Sequence, residues 1–347
     1  MLSLFARIYA RIADLRNYLY DRGVLDTHDL GVRTISVGNL TTGGTGKTPL
    51  VAYIAGIMAA RGEKVCILTR GYGRPDERRR VLVSDFENIL ADVDSAGDEP
   101  LELARKLLGQ AIVIADADRV SAGEWARRRF GVTTFILDDG FQHRKVKRDV
   151  DIVCIDATRP VGEVCATTLA SGRMLPAGRL REPLHNLKRA GVVMITRSDH
   201  STSEAIAILK SEVLELASSS DIFLATTRIG SIHLINAPPV DGESDVKVLD
   251  QRKSFAFCAL GNPDSFFIGL RGAGINLLAA DHFPDHHRYL QSDVDRVEEL
   301  ARKCGAERLL TTAKDAVKLT TLRFQMPCEV VEIDVSVDDP DGFAGRL

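Results

Sequence analysis

Short, almost unbroken apolar runs recur through the first part of the chain: VCIL at 65–68, AIVIA at 111–115, FIL at 135–137, IVCI at 152–155 and VVMI at 192–195. Between them lie stretches with helical spacing, at 49–62, 99–109, 119–130 and 203–217. Strands without polar alternation are buried on both faces, and their alternation with helices predicts an α/β fold: a mostly parallel sheet covered by helices. The style changes between 226 and 253, where RIGSIHLINAPPVDGESDVKVLDQRK alternates, contains Pro-Pro and carries polar turn signals. That segment reads as a two-stranded linker. After it, SFAFC, INLLAAD, a helix at 291–304, RLLTT and CEVVEIDV make a second, smaller α/β domain over 254–347. The larger domain then covers 26–225, and residues 1–25 stand apart.

That N-terminal segment has Leu4, Ile8, Ile12, Leu15 and Leu19 at helical spacing, with Phe5, Tyr9 and Tyr20 widening the stripe. Arg7, Arg11, Arg16 and Arg22 outnumber Asp14 and Asp21, and Gly23 stops the helix. Two placements fit an amphipathic helix of this kind. It can pack on its own domain, the commoner arrangement, or lie on an anionic membrane surface with its arginines at the headgroups. The pattern alone does not choose.

The chemistry begins at SVGNLTTGGTGKTP, residues 36–49. A strand runs into a glycine-rich loop that ends in Gly46-Lys47-Thr48 and opens a long helix, the context of a phosphate-binding P-loop. Backbone N–H groups of residues 41–48 (Thr41, Thr42, Gly43, Gly44, Thr45, Gly46, Lys47 and Thr48) would face ATP phosphates. Lys47 would neutralise the β- and γ-phosphates, and Thr48 would hold Mg²⁺. The pattern's first glycine is Thr41 here. Asp138 and Asp139 follow an apolar strand directly and are candidates for the metal-positioning acid; the competing reading is a polar Asp-Gly turn.

Composition narrows the partners. With 347 residues the chain can hold two domains, and a net charge of −3 exerts no global pull toward nucleic acid. The six cysteines form no C-x-x-C pair and read as free thiols, so neither a disulfide framework nor a zinc site is indicated. No apolar stretch approaches the roughly 20 residues of a spanning helix.

Seven motifs then occur in order: SVGNLTTGGTGKTP, LTRGYGR, GDEP, LDDGFQHRKVKRDVDIV, LPAGRLREP, FPDHH and TTAKDAVKL. Together they resemble the tetraacyldisaccharide 4′-kinases, the lipid A 4′-kinases of Gram-negative bacteria, in which threonine at the loop entrance is usual. The resemblance implies a P-loop NTPase-type fold and transfer of the γ-phosphoryl of ATP, with Mg²⁺, to the 4′-hydroxyl of an acylated disaccharide 1-phosphate lipid. It also implies attachment to the cytoplasmic face of the bacterial inner membrane, and so favours residues 1–25 as a membrane-associating helix.

It further implies roles for single residues, each with a plainer alternative. Asp98 would be the general base, or merely the N-cap of the helix that follows it. His286, in the second domain, would pair with Asp98 and tune it, with His282 and His287 as weaker candidates. Such pairing would need the two domains to close over ATP. Arg119 and Arg181 are candidates for the substrate 1-phosphate, with Arg70 and Tyr72 near the P-loop end of the sheet. Glu182 would bind a sugar hydroxyl or pair with Arg181. Read from the residues themselves, His143 would pack or cap, Gln142 would orient water or metal, and RPDERRR at 74–80 is a solvated loop, with membrane contact as its alternative.

A rival class is a P-loop GTPase switch or metallochaperone. Thr196, Arg197 and Asp199 faintly match the [NT]-K-x-D guanine-reading signal, but LDDG has Leu137 where D-x-x-G needs its aspartate. A soluble small-molecule kinase shares the P-loop yet leaves the N-terminal helix unexplained.

Overall fold

In a computed structural model, residues 2–162, 168–235 and 251–347 are described. Their contacts gather into two units: residues 1–226 with 336–347, and residues 227–335. The last twelve residues therefore belong to the first unit, whereas the sequence pattern carries the second domain to the C-terminus.

The first unit opens with helix α1 (Leu2–Asp21). Then come β1 (Arg33–Asn39), α2 (Lys47–Ala60), β2 (Val65–Thr69), β3 (Val81–Ser84), α3 (Val93–Ala96), α4 (Asp98–Lys106) and β4 (Ala111–Ala115). They are followed by α5 (Arg119–Phe130), β5 (Thr134–Asp138), β6 (Val150–Asp156), β7 (Val192–Thr196), α6 (Ser203–Leu216) and the start of β8 (Asp221–Leu234). The strand order is β8-β7-β6-β1-β5-β2-β4-β3. The pairs from β8 to β4 run parallel and only β3 runs antiparallel, against β4. Both sheet faces are packed: β2, β4 and β5 are buried along their whole length. That double burial is why their sequences show no alternation.

The second unit contains the rest of β8, then β9 (Ser254–Cys258), α7 (Pro263–Gly272), β10 (Leu277–His282), α8 (Gln291–Cys304), β11 (Arg308–Thr312), α9 (Ala313–Leu319) and most of β12 (Cys328–Val337). Its strands lie in the order β10-β9-β11-β12-β8, with β10, β9, β11 and β12 mutually parallel. The chain ends in α10 (Pro340–Ala344), whose Phe343 packs on Phe223 and Tyr53 of the first unit. The expected second strand of the 226–253 linker falls largely outside the described residues, as does Cys165. The other five cysteines are free thiols, four of them buried.

Helix α1 is inverted relative to an ordinary surface helix. Leu4, Ile8, Ile12 and Leu15 are about half exposed or more, as are Leu2, Phe5 and Tyr18, while Ala6, Ala13 and Asn17 face inward. The inward face is held by polar bonds rather than by a hydrophobic stripe. Asn17 Nδ2 donates to Glu182 (2.6 Å), Asp14 accepts from His185 and Asn186, and Arg144 reaches both the Asn17 carbonyl and Asp21. Among the described residues, no helix is long and apolar enough to cross a membrane.

Candidate active site

The parallel sheet brings its chemistry to one edge, at the C-terminal ends of its central strands. β1 lies between β5 and β6, with Val37 opposite Asp138 and Asn39 opposite Cys154, so the glycine loop and the Asp-Asp turn leave the sheet side by side. The two turns can approach this closely because Gly38 has no side chain: a Cβ there would lie 2.6 Å from that of Phe141. Gly46 is left-handed (φ 76°) at the N-cap of α2, so the helix begins at Lys47 with its free amides turned to the loop.

The loop is tied at its entrance as well. Thr42 N donates to Arg179 O, Arg181 N donates to Leu40 O, and Asn39 Nδ2 donates to the hydroxyls of Thr45 and Thr41. Thr41 is buried and forms a bridge with Leu180. A threonine therefore serves where the motif would have glycine, because its side chain is used in this anchoring. Thr48, the second residue of α2, is half-buried.

Lys47 Nζ lies 3.5 Å from Asp139 Oδ1, and Arg181 binds the other oxygen of the same carboxylate at 2.7 Å. Asp139 is held in the left-handed region (φ 49°), and Arg119 donates to its carbonyl at 3.1 Å. Burial pushes the Asp139 carboxyl upward, but Lys47 and Arg181 outweigh it and hold the group well below the usual carboxylate range. Asp138 is the opposite case. It accepts a hydrogen bond from Thr69 Oγ1 at 3.0 Å, and burial, Glu99 and Asp139 together push its pKa up to about 6. Two adjacent carboxyls are thus driven apart in proton affinity, which a polar turn would not require.

These residues fit a divalent cation. The Asp139 Oδ1 atom is buried and accepts no hydrogen bond, and the Asp138 carboxyl carries the raised proton affinity of a crowded anion. Oxygen ligands of this kind suit magnesium.

Asp98 is buried at the first position of α4. Gly97, not Asp98, is the N-cap of that helix, and Asp98 Oδ1 accepts from the N–H of Glu99 at 3.0 Å. Asp98 is therefore not the N-cap that the sequence allows. Arg70 pairs with Glu77 (3.2 Å), and Tyr72 is exposed. The loop that carries them is not merely solvated. Buried Arg74 donates to the carbonyls of Gly71, Arg79, Ala115, Arg70 and Glu77, which fixes its path. Arg119 is only 3% exposed, so its guanidinium serves the Asp-Asp turn from beneath.

Glu182 and Arg181 turn to different partners. The Glu182 side chain is buried and does not pair with Arg181, which goes to Asp139. The Glu182 carboxylate instead accepts from Asn17 and from Arg189 (2.8 Å), with Arg16 at 3.9 Å. Gln142 donates to Asn39 O, and Arg148 donates to the carbonyls of His143 and Phe141, which secures the turn after Asp139. His143 has a buried Nε2 without a partner, and burial with Arg119 and Arg148 nearby pushes its pKa down to about 3.

His286 belongs to the second unit. It is left-handed (φ 60°), and Asp285 beside it is paired with Lys314 at 3.2 Å. His287 is engaged elsewhere: it contacts Asp293 at 3.0 Å and stacks on Phe283. His282, at the end of β10, donates its N–H to its neighbour Asp281.

The whole chain, residues 1–347, matches the family model described as tetraacyldisaccharide-1-P 4′-kinase. The protein belongs to that family. A tetraacyldisaccharide 4′-kinase of Halothermothrix orenii is 38% identical over 92% of this chain and 83% of its own. Those of Geobacter metallireducens and Geobacter sulfurreducens are 38% and 36% identical, over 92% and 98% of this chain and 88% and 90% of theirs. Among solved structures, the "apo" form of LpxK from Aquifex aeolicus in complex with ATP is similar over 99% of this chain and 96% of that one, with a TM-score of 0.75 and 31% identity. In this member of the kinase family, the glycine loop and the Asp138-Asp139 turn, both plain in the sequence, lie side by side. Asn17, Arg74, Arg148 and Arg189 carry no such signal, because the buried groups they bond are brought to them by the fold and no local pattern marks those partners.

Proposed function

We propose that this protein transfers the γ-phosphoryl of ATP to the 4′-hydroxyl of a tetraacyldisaccharide 1-phosphate, at the cytoplasmic face of the inner membrane. One observation carries the reading: Lys47, at the mouth of a P-loop, shares the Asp139 carboxylate with Arg181 in a chain of this kinase family. The loop amides and Lys47 hold the β- and γ-phosphates, and positive charge at Lys47 offsets charge that builds on the transferring group. Thr48, Asp138 and Asp139 would hold Mg²⁺, which neutralises phosphate oxygens when bound. Asp98 takes the proton of the sugar hydroxyl. The hydroxyl oxygen bonds to the γ-phosphorus, the bond to the β-phosphate oxygen breaks, and ADP leaves. His286 tunes the base, and Arg70, Tyr72 and Arg181 meet the phosphorylated disaccharide.

The outward apolar face of α1, with its arginines, suits a helix lying in a lipid headgroup layer. The lipid acceptor is then taken from the same surface.

The test is phosphate transfer from ATP or GTP to the detergent-dispersed lipid disaccharide, by the parent and by Lys47→Ala. Transfer from ATP that fails in Lys47→Ala supports the reading. Hydrolysis of GTP without an acceptor would instead support a switch protein, and normal turnover in Lys47→Ala would remove the P-loop from the mechanism.

A further inference from the structure

The end of β7 makes contacts with the phosphate loop that the kinase chemistry leaves unused. Thr196 Oγ1 donates to Thr45 O at 2.9 Å, and Arg197 Nη1 donates to Gly44 O at 2.9 Å. The same guanidinium nitrogen pairs with the carboxylate of Asp156, at the end of β6, whose other oxygen is fixed by the N–H and hydroxyl of Thr158. Thr196 also packs beneath Gly46, where a Cβ would lie 3.5 Å from its own. Arg197 adopts a left-handed backbone (φ 54°, ψ 37°), a conformation that costs a non-glycine residue free energy and that clusters at functional sites.

The consequence follows from the planarity of the peptide bond. In a trans peptide the C=O and N–H point in opposite directions. Holding Gly44 O and Thr45 O toward β7 therefore aims the N–H groups of Thr45 and Gly46 away from β7. An anion cradle works only when its N–H groups converge and its carbonyls, which repel phosphate, are turned out. In a loop with glycines at 43, 44 and 46, few steric constraints hold those peptide planes.

We infer that Thr196, Arg197 and Asp156 form a clasp that fixes the orientation of the Gly44–Thr45 and Thr45–Gly46 peptides, so that the loop is ready for the phosphates of ATP before ATP arrives. Thr196 and Arg197 are positioning residues: they act through the loop and touch no reacting atom. The clasp gives the Thr-Arg-x-Asp stretch a role in holding phosphate rather than in reading a guanine base. It rests on the reading of this loop as the ATP site.

The experiment compares Thr196→Val, which keeps the shape and removes the hydroxyl, with Arg197→Gly, which removes the guanidinium and suits the left-handed backbone. Binding of a non-hydrolysable ATP analogue with Mg²⁺ is measured by calorimetry, alongside KM for ATP and for the lipid acceptor and the melting temperature. Loss of one hydrogen bond that orders the cradle should weaken nucleotide binding severalfold in Thr196→Val and about tenfold or more in Arg197→Gly. KM for the lipid should stay within about twofold, and Arg197→Lys should recover part of the loss. Nucleotide binding at the parent level in both variants, with Lys47→Ala impaired, would overturn the clasp and leave the ATP site standing. Equal rises in both KM values, tracking a lower melting temperature, would also overturn it, since a structural prop would do the same. Parent-level binding and turnover in Lys47→Ala as well would remove the ATP site itself.

Discussion

Replacing Glu182 separates a structural carboxylate from a substrate-binding one. Its side chain is 1% exposed and accepts from Asn17 at 2.6 Å and Arg189 at 2.8 Å, and Arg189 itself is largely covered and stacked over Phe141. Glu182→Ala leaves the Arg189 guanidinium buried without its counter-charge and Asn17 without its acceptor. Breaking a buried pair from one side costs about 3–5 kcal/mol. In a unit of this size each kcal/mol moves the melting temperature by about 2–4 °C, so the expected fall is about 6–20 °C. Glu182→Gln keeps an acceptor and loses the charge, so it should lose about 1.5–3 kcal/mol, the worth of a charged hydrogen bond. Melting followed by circular dichroism reads these shifts. Asn17→Ala, removing the partner on α1, should destabilise by about 1–3 kcal/mol, and less than additively with Glu182→Gln because the two share one bond. A Glu182→Gln protein that melts with the parent while its lipid KM rises would refute this, and would return Glu182 to the sugar.

Asp138→Asn and Asp139→Asn should each lower turnover, and at least one should raise the Mg²⁺ concentration needed for half-maximal rate; if neither responds in a metal titration, the pair is only a turn. Since the His143 pKa lies near 3 in the fold and near 6.5 in the unfolded chain, the unfolded state takes up the proton first as pH falls. The stability His143 contributes is present above about pH 6.5 and drains away toward pH 3, at no more than about 1.4 kcal/mol per pH step. Denaturant melts of His143→Gln should show a flatter profile across that window, and an unaltered slope would contradict the assignment. Asp98→Asn should lose most of its turnover, on the order of 10²–10⁴-fold, with little change in melting. His286→Ala should lose turnover as well, and the double variant should fall by less than the product of the two losses. Losses that simply multiply in steady-state kinetics would deny any coupling between these residues.

The local pattern of the chain was enough to determine much of this molecule. Unbroken apolar runs such as AIVIA and VVMI specify strands buried on both faces, because no polar residue interrupts them, and the glycine loop before Lys47 specifies the strand-to-helix turn that opens α2. β3, whose VLVS is short and follows a run of arginines, carried no such signal, and it joins the sheet through β4. The partners of the charged residues were not legible at all. Arg74 lies in a run that reads as a solvated loop, yet it organises that loop from inside, and Arg189, which no motif marks, faces Glu182. Arg181 and Glu182, adjacent in sequence, turn to different partners, Asp139 and Asn17, that lie far away along the chain. The apolar stripe of α1 was plain in the sequence, but the side it faces was decided by Asn17, Asp14 and Arg144 finding polar partners inward. Periodicity is a local property, set by backbone geometry, and survives in the sequence. Ion pairing depends on where distant segments meet, and only the folded chain brings them together.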